Sequence, residues 1–381
     1  ATQEQIDTIP VLGDNPTEEE KQAKTNAELA VYNAIWRNYC ISDTFEPGST
    51  FKPVTVAIAL EQGLISGDMT FLCDGGEQYP RNYIKCHKTS GHGVITAAQG
   101  LAFSCNDAMM QIGRLEGIMM FSNYIRKFGF GTKTGIDLPG ESSCDKLMYE
   151  PDTMTDTDLA ISSFGQGSNV TMIQLASAFS SIINGGYYYE PHVVKQIVKS
   201  NGSIVKNVEA APVKQTVTKA TSDYIKTGLR GCVDYGTGKS AAVPGYLISG
   251  KTGTAQKSPR KDNKYLLSFI GFAPYDDPEV VCYVVMDDSS TVTGSLFSAI
   301  MSEVLPYLNV AQDNPESAQQ PDDSTQTTEP AQQPDNSTQA STEQASAEQA
   351  TQEETTVSNI GEPEVAGNNL DNELTGLTEP E

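Results

Sequence analysis

Phe45-Glu-Pro-Gly-Ser-Thr-Phe-Lys-Pro-Val-Thr-Val-Ala-Ile-Ala-Leu-Glu-Gln-Gly63 joins a Pro-Gly pair to an apolar run that ends on glycine. Pro47-Gly48 signals the start of a helix and Gly63 its stop, and the run between is apolar enough for a buried helix. Residues three apart on a helix share a face, so Lys52 is expected to bring its amine within reach of the Ser49 hydroxyl. The helix N-terminus adds a positive field that favours negative charge developing on Ser49. A serine beside an amine that can take its proton is the pairing that nucleophilic catalysis requires.

Working outward, the same four-residue pattern recurs at Ser203–Lys206 and Ser258–Lys261, in less favourable settings. Ser203 follows Asn201-Gly202 between two apolar runs and reads as a hairpin turn opening into a strand, where residues three apart point to opposite faces. Ser258 lies in Gln256-Lys-Ser-Pro-Arg-Lys-Asp-Asn263, a polar loop with nothing to fix its geometry. Two further motifs follow Ser49 in order. Ser104-Cys-Asn106 comes after the helical stretch Thr96-Ala-Ala-Gln-Gly-Leu-Ala-Phe103 and suits a tight turn between helices. Lys-Thr-Gly occurs at Lys133, Lys226 and Lys251; only Lys251-Thr-Gly-Thr254 sits in a strand-like context, with the strand 265–272 after it. Small residues on a strand beside a cleft let an extended substrate lie close and pair edge to edge.

Serine with lysine, then Ser-x-Asn, then Lys-Thr-Gly is the motif set shared by penicillin-binding proteins and serine β-lactamases. With Gly91-His-Gly93, Gly129-Phe-Gly131, Gly135-Ile-Asp-Leu-Pro-Gly-Glu141, Gly165-Gln-Gly167 and Asn184-Gly-Gly186 in the same order, residues 30–310 resemble the transpeptidase domain of class B penicillin-binding proteins, in the septal-division and stage V sporulation protein D group. The resemblance implies a D,D-transpeptidase with a penicillin-binding, serine β-lactamase-like fold. Ser49 is then the nucleophile, Lys52 the general base, Ser104 the proton relay, and Asn106 the group that binds the substrate amide. Lys251, Thr252, Gly253 and Thr254 receive its carboxylate, and the backbone N–H groups of Ser49 and Thr254 form the oxyanion hole. Expected partners are peptidoglycan stem peptides, β-lactam antibiotics and the cell-wall synthesis machinery, on the outer side of the cell membrane. Neither cofactor nor metal is expected to be needed. The alternatives are a β-lactamase, a D,D-carboxypeptidase and a β-lactam sensor without turnover. No Glu-x-x-Leu-Asn loop stands between the second and third motifs to position a hydrolytic water, which disfavours the first.

Composition divides the chain. Of its 49 acidic residues 16 fall in residues 311–381, which contain no lysine, arginine or aromatic residue, and without them the net charge of −24 becomes about −8. Such a tail is expected to be disordered, because it cannot bury enough apolar surface to offset the entropy of ordering. The absence of a basic stripe argues against nucleic acid. Residues 1–30 read as the polar remnant of a longer upstream region that would carry the membrane anchor, and residues 31–310 as the catalytic domain. Patterning predicts helices over residues 26–39, 51–62, 109–128, 172–184, 221–234 and 295–308, with hairpin-like pairs over 187–208 and 248–286. Helices before late-clustered strands predict an α+β fold, an antiparallel sheet covered by helices. Seven cysteines are spread without a disulfide-framework spacing. In an oxidising exterior one pair among Cys73, Cys86 and Cys105 could form a disulfide, with Cys73 and Cys86 favoured; the alternative is that they remain free thiols. A zinc set of Cys73, Cys86, His87 and His92 is disfavoured because its first pair lacks the C-x-x-C spacing.

Overall fold

The computed structural model describes residues 3–80, 82–257, 264–287 and 292–313. Residues 314–381 of the expected disordered tail, and Ser258–Lys261, therefore lie outside the described residues.

The N-terminal elements are α1 (Gln3–Ile6), α2 (Glu18–Trp36) and α3 (Tyr39–Ser42). Helix α2 starts eight residues before the expected position. Its first turn is fixed by a reciprocal cap in which Glu20 N–H donates to Thr17 Oγ1 at 3.2 Å and Thr17 N–H donates to Glu20 Oε2 at 2.7 Å. That Thr-x-x-Glu box satisfies two donors that a helix N-terminus otherwise leaves open, and it outweighs the weak apolar periodicity of the segment.

A 3₁₀ turn, Gly48–Phe51, feeds α4 (Lys52–Glu61). Every residue of α4 from Lys52 to Ala59 is buried, as expected of a helix that is apolar on all sides. Four short strands follow, β1 (Thr70–Cys73), β2 (Gly76–Gln78), β3 (Tyr83–Lys85) and β4 (Gly93–Thr96), pairing as β1 with β4 and β2 with β3. Then come α5 (Ala97–Ala102), α6 (Asn106–Lys127, kinked at Gly117), α7 (Asp156–Ser163) and α8 (Met172–Ile183). The next strands are β5 (Tyr187–Tyr189), β6 (Gln196–Val198), β7 (Ile204–Asn207) and β8 (Pro212–Gln215). The hairpin expected over 187–208 is only its inner part, β6 with β7; β5 instead pairs with β8, beyond that hairpin.

After α9 (Lys219–Asp234) the chain forms a three-stranded antiparallel sheet of β9 (Ser249–Gln256), β10 (Tyr265–Ala273) and β11 (Val280–Asp287), in the order β11-β10-β9. Helix α10 (Thr293–Tyr307) closes it. Strand β10 is buried on both faces. Phe269 points into a cluster with Phe297, Met301 and Leu305 of α10, with the Phe269 and Phe297 rings 4.7 Å apart. Ile270 and Phe272 face the other way, into the core built around α4, α6 and α8. Each large side chain removed from water contributes about 1.5–3 kcal/mol, so helix, sheet and helix are held as three layers through β10. This is the α+β arrangement of an antiparallel sheet covered by helices.

Candidate active site

Three segments far apart in sequence meet at one cleft of about 560 Å³, lined among others by Ser49, Ser104, Asn106, Thr252, Gly253 and Thr254. The first is the 3₁₀ turn. Residues three apart eclipse in a 3₁₀ helix more closely than in an α-helix, and Lys52 N–H donates to Ser49 O, which closes one turn between the two residues. The turn is clamped from outside. Phe45 and Val170 exchange backbone hydrogen bonds of 3.0 and 2.9 Å, Gly167 N–H donates to Glu46 Oε1 at 2.9 Å, and Gly48 N–H donates to Gly165 O at 2.8 Å. Glycine is required at 48, because φ is +57° and a Cβ there would lie 2.7 Å from Thr254 O.

The second segment is the turn between α5 and α6. Ser104 has φ +56°, a left-handed conformation that costs a non-glycine residue roughly 1–2 kcal/mol. Cys105 holds it from below by capping α6, its sulfur accepting from Ala108 N–H at 3.4 Å.

The third segment is β9, an edge strand of the sheet. At Gly253 a Cβ would come within 2.2 Å of Ser268 Oγ and 2.9 Å of Thr50 Cγ2, so only glycine lets the strand lie against the 3₁₀ turn.

Beneath the cleft lie two lysines with no solvent exposure. Lys52 Nζ donates to Ser104 O at 2.6 Å, to Ser104 Oγ at 3.1 Å and to Asn106 Oδ1 at 2.7 Å. Burial, and then the nearby Lys251 charge, hold its ammonium well below the ordinary lysine range. Lys251 Nζ donates to Thr252 O at 3.1 Å and Thr252 Oγ1 at 3.3 Å, and burial brings its pKa down to about 8. The site thus couples an amine readily rendered neutral to a hydroxyl turn, and sets a cation behind a row of hydroxyls.

Several lining residues were not legible in the sequence. Thr237 follows α9 and its hydroxyl lies 2.7 Å from Thr252 Oγ1. Phe164 and Gln166 come from the stretch after α7, and His87, Leu267, Ser268, Val292 and Thr293 complete the wall. Gln166 carried a signal, lying inside Gly165-Gln-Gly167, and Leu267 and Ser268 lie on the expected strand 265–272, while His87 was weighed only as a metal ligand.

Elsewhere the rival contexts at Ser203–Lys206 and at Lys226 are unlike the cleft. Ser203 sits in the β6–β7 turn and Lys206 on β7, whose residues are all exposed. Lys226 lies within α9, its Nζ donating to Asp276 O at 3.1 Å.

The cysteines required a correction. Cys73 and Cys86 are both free, so the expected disulfide between them is not present. Instead Cys73, Cys86, His92 and Cys105 converge, their ligand atoms all within 4.8 Å of one another. His87, one of the four residues weighed for zinc, lines the cleft, and Cys105 takes its place in the cluster. Cys105 joins through a turn far along the chain, which spacing rules for paired cysteines do not register.

The penicillin binding protein transpeptidase domain family matches this chain over residues 7–305. Stage V sporulation protein D of Bacillus subtilis is 38% identical over 299 residues, covering 75% of this chain and 45% of that protein. Penicillin-binding protein PbpB of Mycolicibacterium smegmatis is 31% identical over 289 residues, covering 71% and 44%. The chain therefore spans a little under half the length of these relatives. Among solved structures, penicillin binding protein 3 of Mycobacterium tuberculosis complexed with aztreonam superposes with a TM-score of 0.66 at 29% identity, covering 73% of this chain and 66% of that one. The D,D-transpeptidase domain of a peptidoglycan glycosyltransferase from Eggerthella lenta gives 0.67 at 26% identity, covering 75% and 72%.

Proposed function

The chain belongs to the penicillin-binding protein transpeptidase family, in its class B branch, and from that premise we propose that it is a peptidoglycan D,D-transpeptidase acting through a serine ester on Ser49. The observation that carries this reading is the fully buried amine of Lys52, a residue one 3₁₀ turn after Ser49, bonded to Ser104 and Asn106.

With Lys52 neutral, its lone pair takes the Ser49 proton as Oγ attacks the penultimate D-Ala carbonyl carbon of a stem peptide. The oxyanion is held by the backbone N–H groups of Ser49 and Thr254, an interaction typically worth several kcal/mol in the transition state. Collapse breaks the peptide bond, and Ser104 passes the proton from Lys52 to the departing amine of the terminal D-Ala. That relay fits the 3.1 Å contact between Lys52 Nζ and Ser104 Oγ, which can run in either direction. An acceptor amine from a neighbouring stem then attacks the ester, its lost proton returns to Ser49 Oγ through Lys52, and the cross-link is released. Thr252 and Thr254, backed by the Lys251 ammonium and joined by Thr237, receive the substrate carboxylate, while Gly253 keeps the strand close to it. β-Lactams acylate the same hydroxyl by opening their ring.

Residues 31–310 were expected to form the catalytic unit, yet residue 30 falls inside α2. We place the start of the unit at the Thr17 cap instead. No helix among the described residues is long and apolar enough to cross a membrane. Work on the outer side of the membrane follows from the substrate class.

A fluorescent-penicillin gel tests the assignment. Wild type should give a covalent band that Ser49→Ala abolishes; a band that persists in the variant identifies another nucleophile. Release of D-Ala with and without an acceptor amine then separates cross-linking from simple hydrolysis.

A further inference from the structure

We propose that Gln166 is the acceptor-binding residue of the cleft: its side-chain amide oxygen holds an incoming primary amine against the Ser49 ester and so directs the acyl group to an amine rather than to water. This role presupposes the Ser49 ester proposed above and belongs to the second half of that reaction. The donor half uses the β9 edge and the Ser104–Asn106 turn. Gln166 belongs to neither, coming from the stretch after α7, yet it lines the same cleft as Ser49.

The backbone around Gln166 is fixed on every side. Gln166 N–H donates to Ile161 O at 3.0 Å, Gly165 N–H donates to Ser162 O at 2.9 Å, and Gly165 O accepts from Gly48 N–H at 2.8 Å. Gly167 N–H donates to Glu46 Oε1 at 2.9 Å. Both flanking glycines have positive φ, +86° and +85°; a Cβ on Gly165 would lie 2.0 Å from Gly48 O, and one on Gly167 would lie 2.6 Å from Tyr149 Cε2. The residue before Gln166 is therefore pressed onto the residue before Ser49. The side chain presented from this rigid frame is unused: among the described residues the Gln166 amide has no hydrogen-bond partner.

An acceptor amine attacks the ester carbonyl carbon, so that a C–N bond forms as the bond to Ser49 Oγ breaks. One of its two protons leaves through Lys52 to Ser49 Oγ, and the other stays on nitrogen in the new amide. That second N–H needs an acceptor while the lone pair is aimed at carbon, and a neutral amide oxygen supplies one without taking the proton. A primary amine can satisfy Lys52 and Gln166 together, whereas a secondary amine has a single N–H and forgoes the second contact. Water is a weaker nucleophile and depends on a base aimed at it. None of the residues lining the cleft is an aspartate or a glutamate, so no carboxylate stands there to activate a water.

The partition of the acyl-enzyme between amine and water tests this role, because that ratio is set after acylation and does not depend on the fraction of active protein. A synthetic D-alanyl thioester serves as donor to the full chain, with glycine as a primary acceptor and sarcosine, its N-methyl counterpart, as a secondary one; the ratio of amide to acid product is measured. In Gln166→Ala the ratio for glycine should fall roughly fivefold to tenfold, the loss of one hydrogen bond, and the ratio for sarcosine should move by less than about twofold. The difference between the two amines cancels their intrinsic nucleophilicity and any general loosening of the cleft. Gln166→Glu places a carboxylate where a water can be activated, and should shorten the half-life of the penicilloyl-enzyme by roughly tenfold or more. An unchanged glycine ratio in Gln166→Ala, an equal fall for both amines, or a penicilloyl-enzyme in Gln166→Glu as long-lived as in wild type would overturn the acceptor role. Wild type that forms no ester on Ser49 would overturn the proposed function with it, whereas an ester whose partition ignores Gln166 leaves that function standing.

Discussion

Ser49–Lys52 and Ser203–Lys206 share a four-residue pattern and almost nothing else. The first pair opens a buried helix and its lysine has no exposure; the second runs from a hairpin turn into a strand exposed along its whole length. Ser203 Oγ donates to Asn201 Oδ1 at 2.8 Å, a local turn contact. Lys52, in contrast, is tied to groups more than fifty residues away. The difference teaches that the pattern acquires chemistry from desolvation: burial disfavours the ammonium and leaves an amine able to accept a proton.

The comparison breaks most readily at the two lysines. Lys52→Ala should lower the second-order rate of penicillin acylation by roughly 10²–10⁴-fold, and Lys206→Ala should leave it unchanged; equal effects in a stopped-flow or gel assay would remove the distinction. Glycines sharpen it next. Gly253→Ala puts a methyl 2.2 Å from Ser268 Oγ and forces β9 off the 3₁₀ turn, so acylation should fall by up to roughly a hundredfold and thermal stability by about 1–3 kcal/mol. Gly202→Ala in the exposed hairpin meets open space at φ +82°. It should cost only the left-handed backbone penalty of about 1 kcal/mol, with acylation intact.

A pH profile reads the buried pair directly. As pH rises through the depressed pKa of Lys52, the free amine accumulates and acylation should climb. Above about 8 Lys251 loses its charge, and if it holds the substrate carboxylate as proposed the rate should fall. In Lys251→Arg, whose guanidinium stays charged, that alkaline limb should move upward; an unmoved limb would assign it to another group.

The smallest effect concerns a buried acid away from the cleft. Both Glu116 carboxylate oxygens lack partners among the described residues, and burial raises its pKa well above the ordinary carboxylate range. For an acid shifted upward, the folded state keeps a proton that the unfolded state gives up. Stability should therefore drop as pH rises from about 4.5 toward the folded value. Glu116→Gln should abolish that slope in urea titrations, and a parallel slope in the variant would refute the account.

Structural context was legible where the decisive information was local. Pro47-Gly48 before an apolar run put Ser49 at the head of a buried helix and Asn201-Gly202 put Ser203 in a hairpin turn, while Lys251 fell on a strand and Lys226 on a helix, as the structure has them. Legibility was less complete where the answer depends on meetings across the chain. The Thr17–Glu20 box is visible in the sequence, but α2 has too weak an apolar stripe to draw attention to it. The partner of β5 lies beyond a whole hairpin, and a local turn signal favours the nearer strand. Thr237 reaches the cleft only because α9 packs beside β9. Cys105 is legible in the sequence as a candidate partner of Cys73 and Cys86, but His92 beside all three becomes apparent only when β1 and the Gly91–Gly93 turn are folded against it.

Strand β9 ends its sheet, and an uncovered strand edge ordinarily invites the sheets of other molecules to join on. Here the edge is recessed: the 3₁₀ turn stands so close to it that a single methyl at Gly48 would collide with Thr254 O. A lone extended segment can slide into that slot, but the flat flank of a foreign sheet is too broad to enter. The same crowding that brings the 3₁₀ turn and β9 together thus guards the protein against sticking to its own kind.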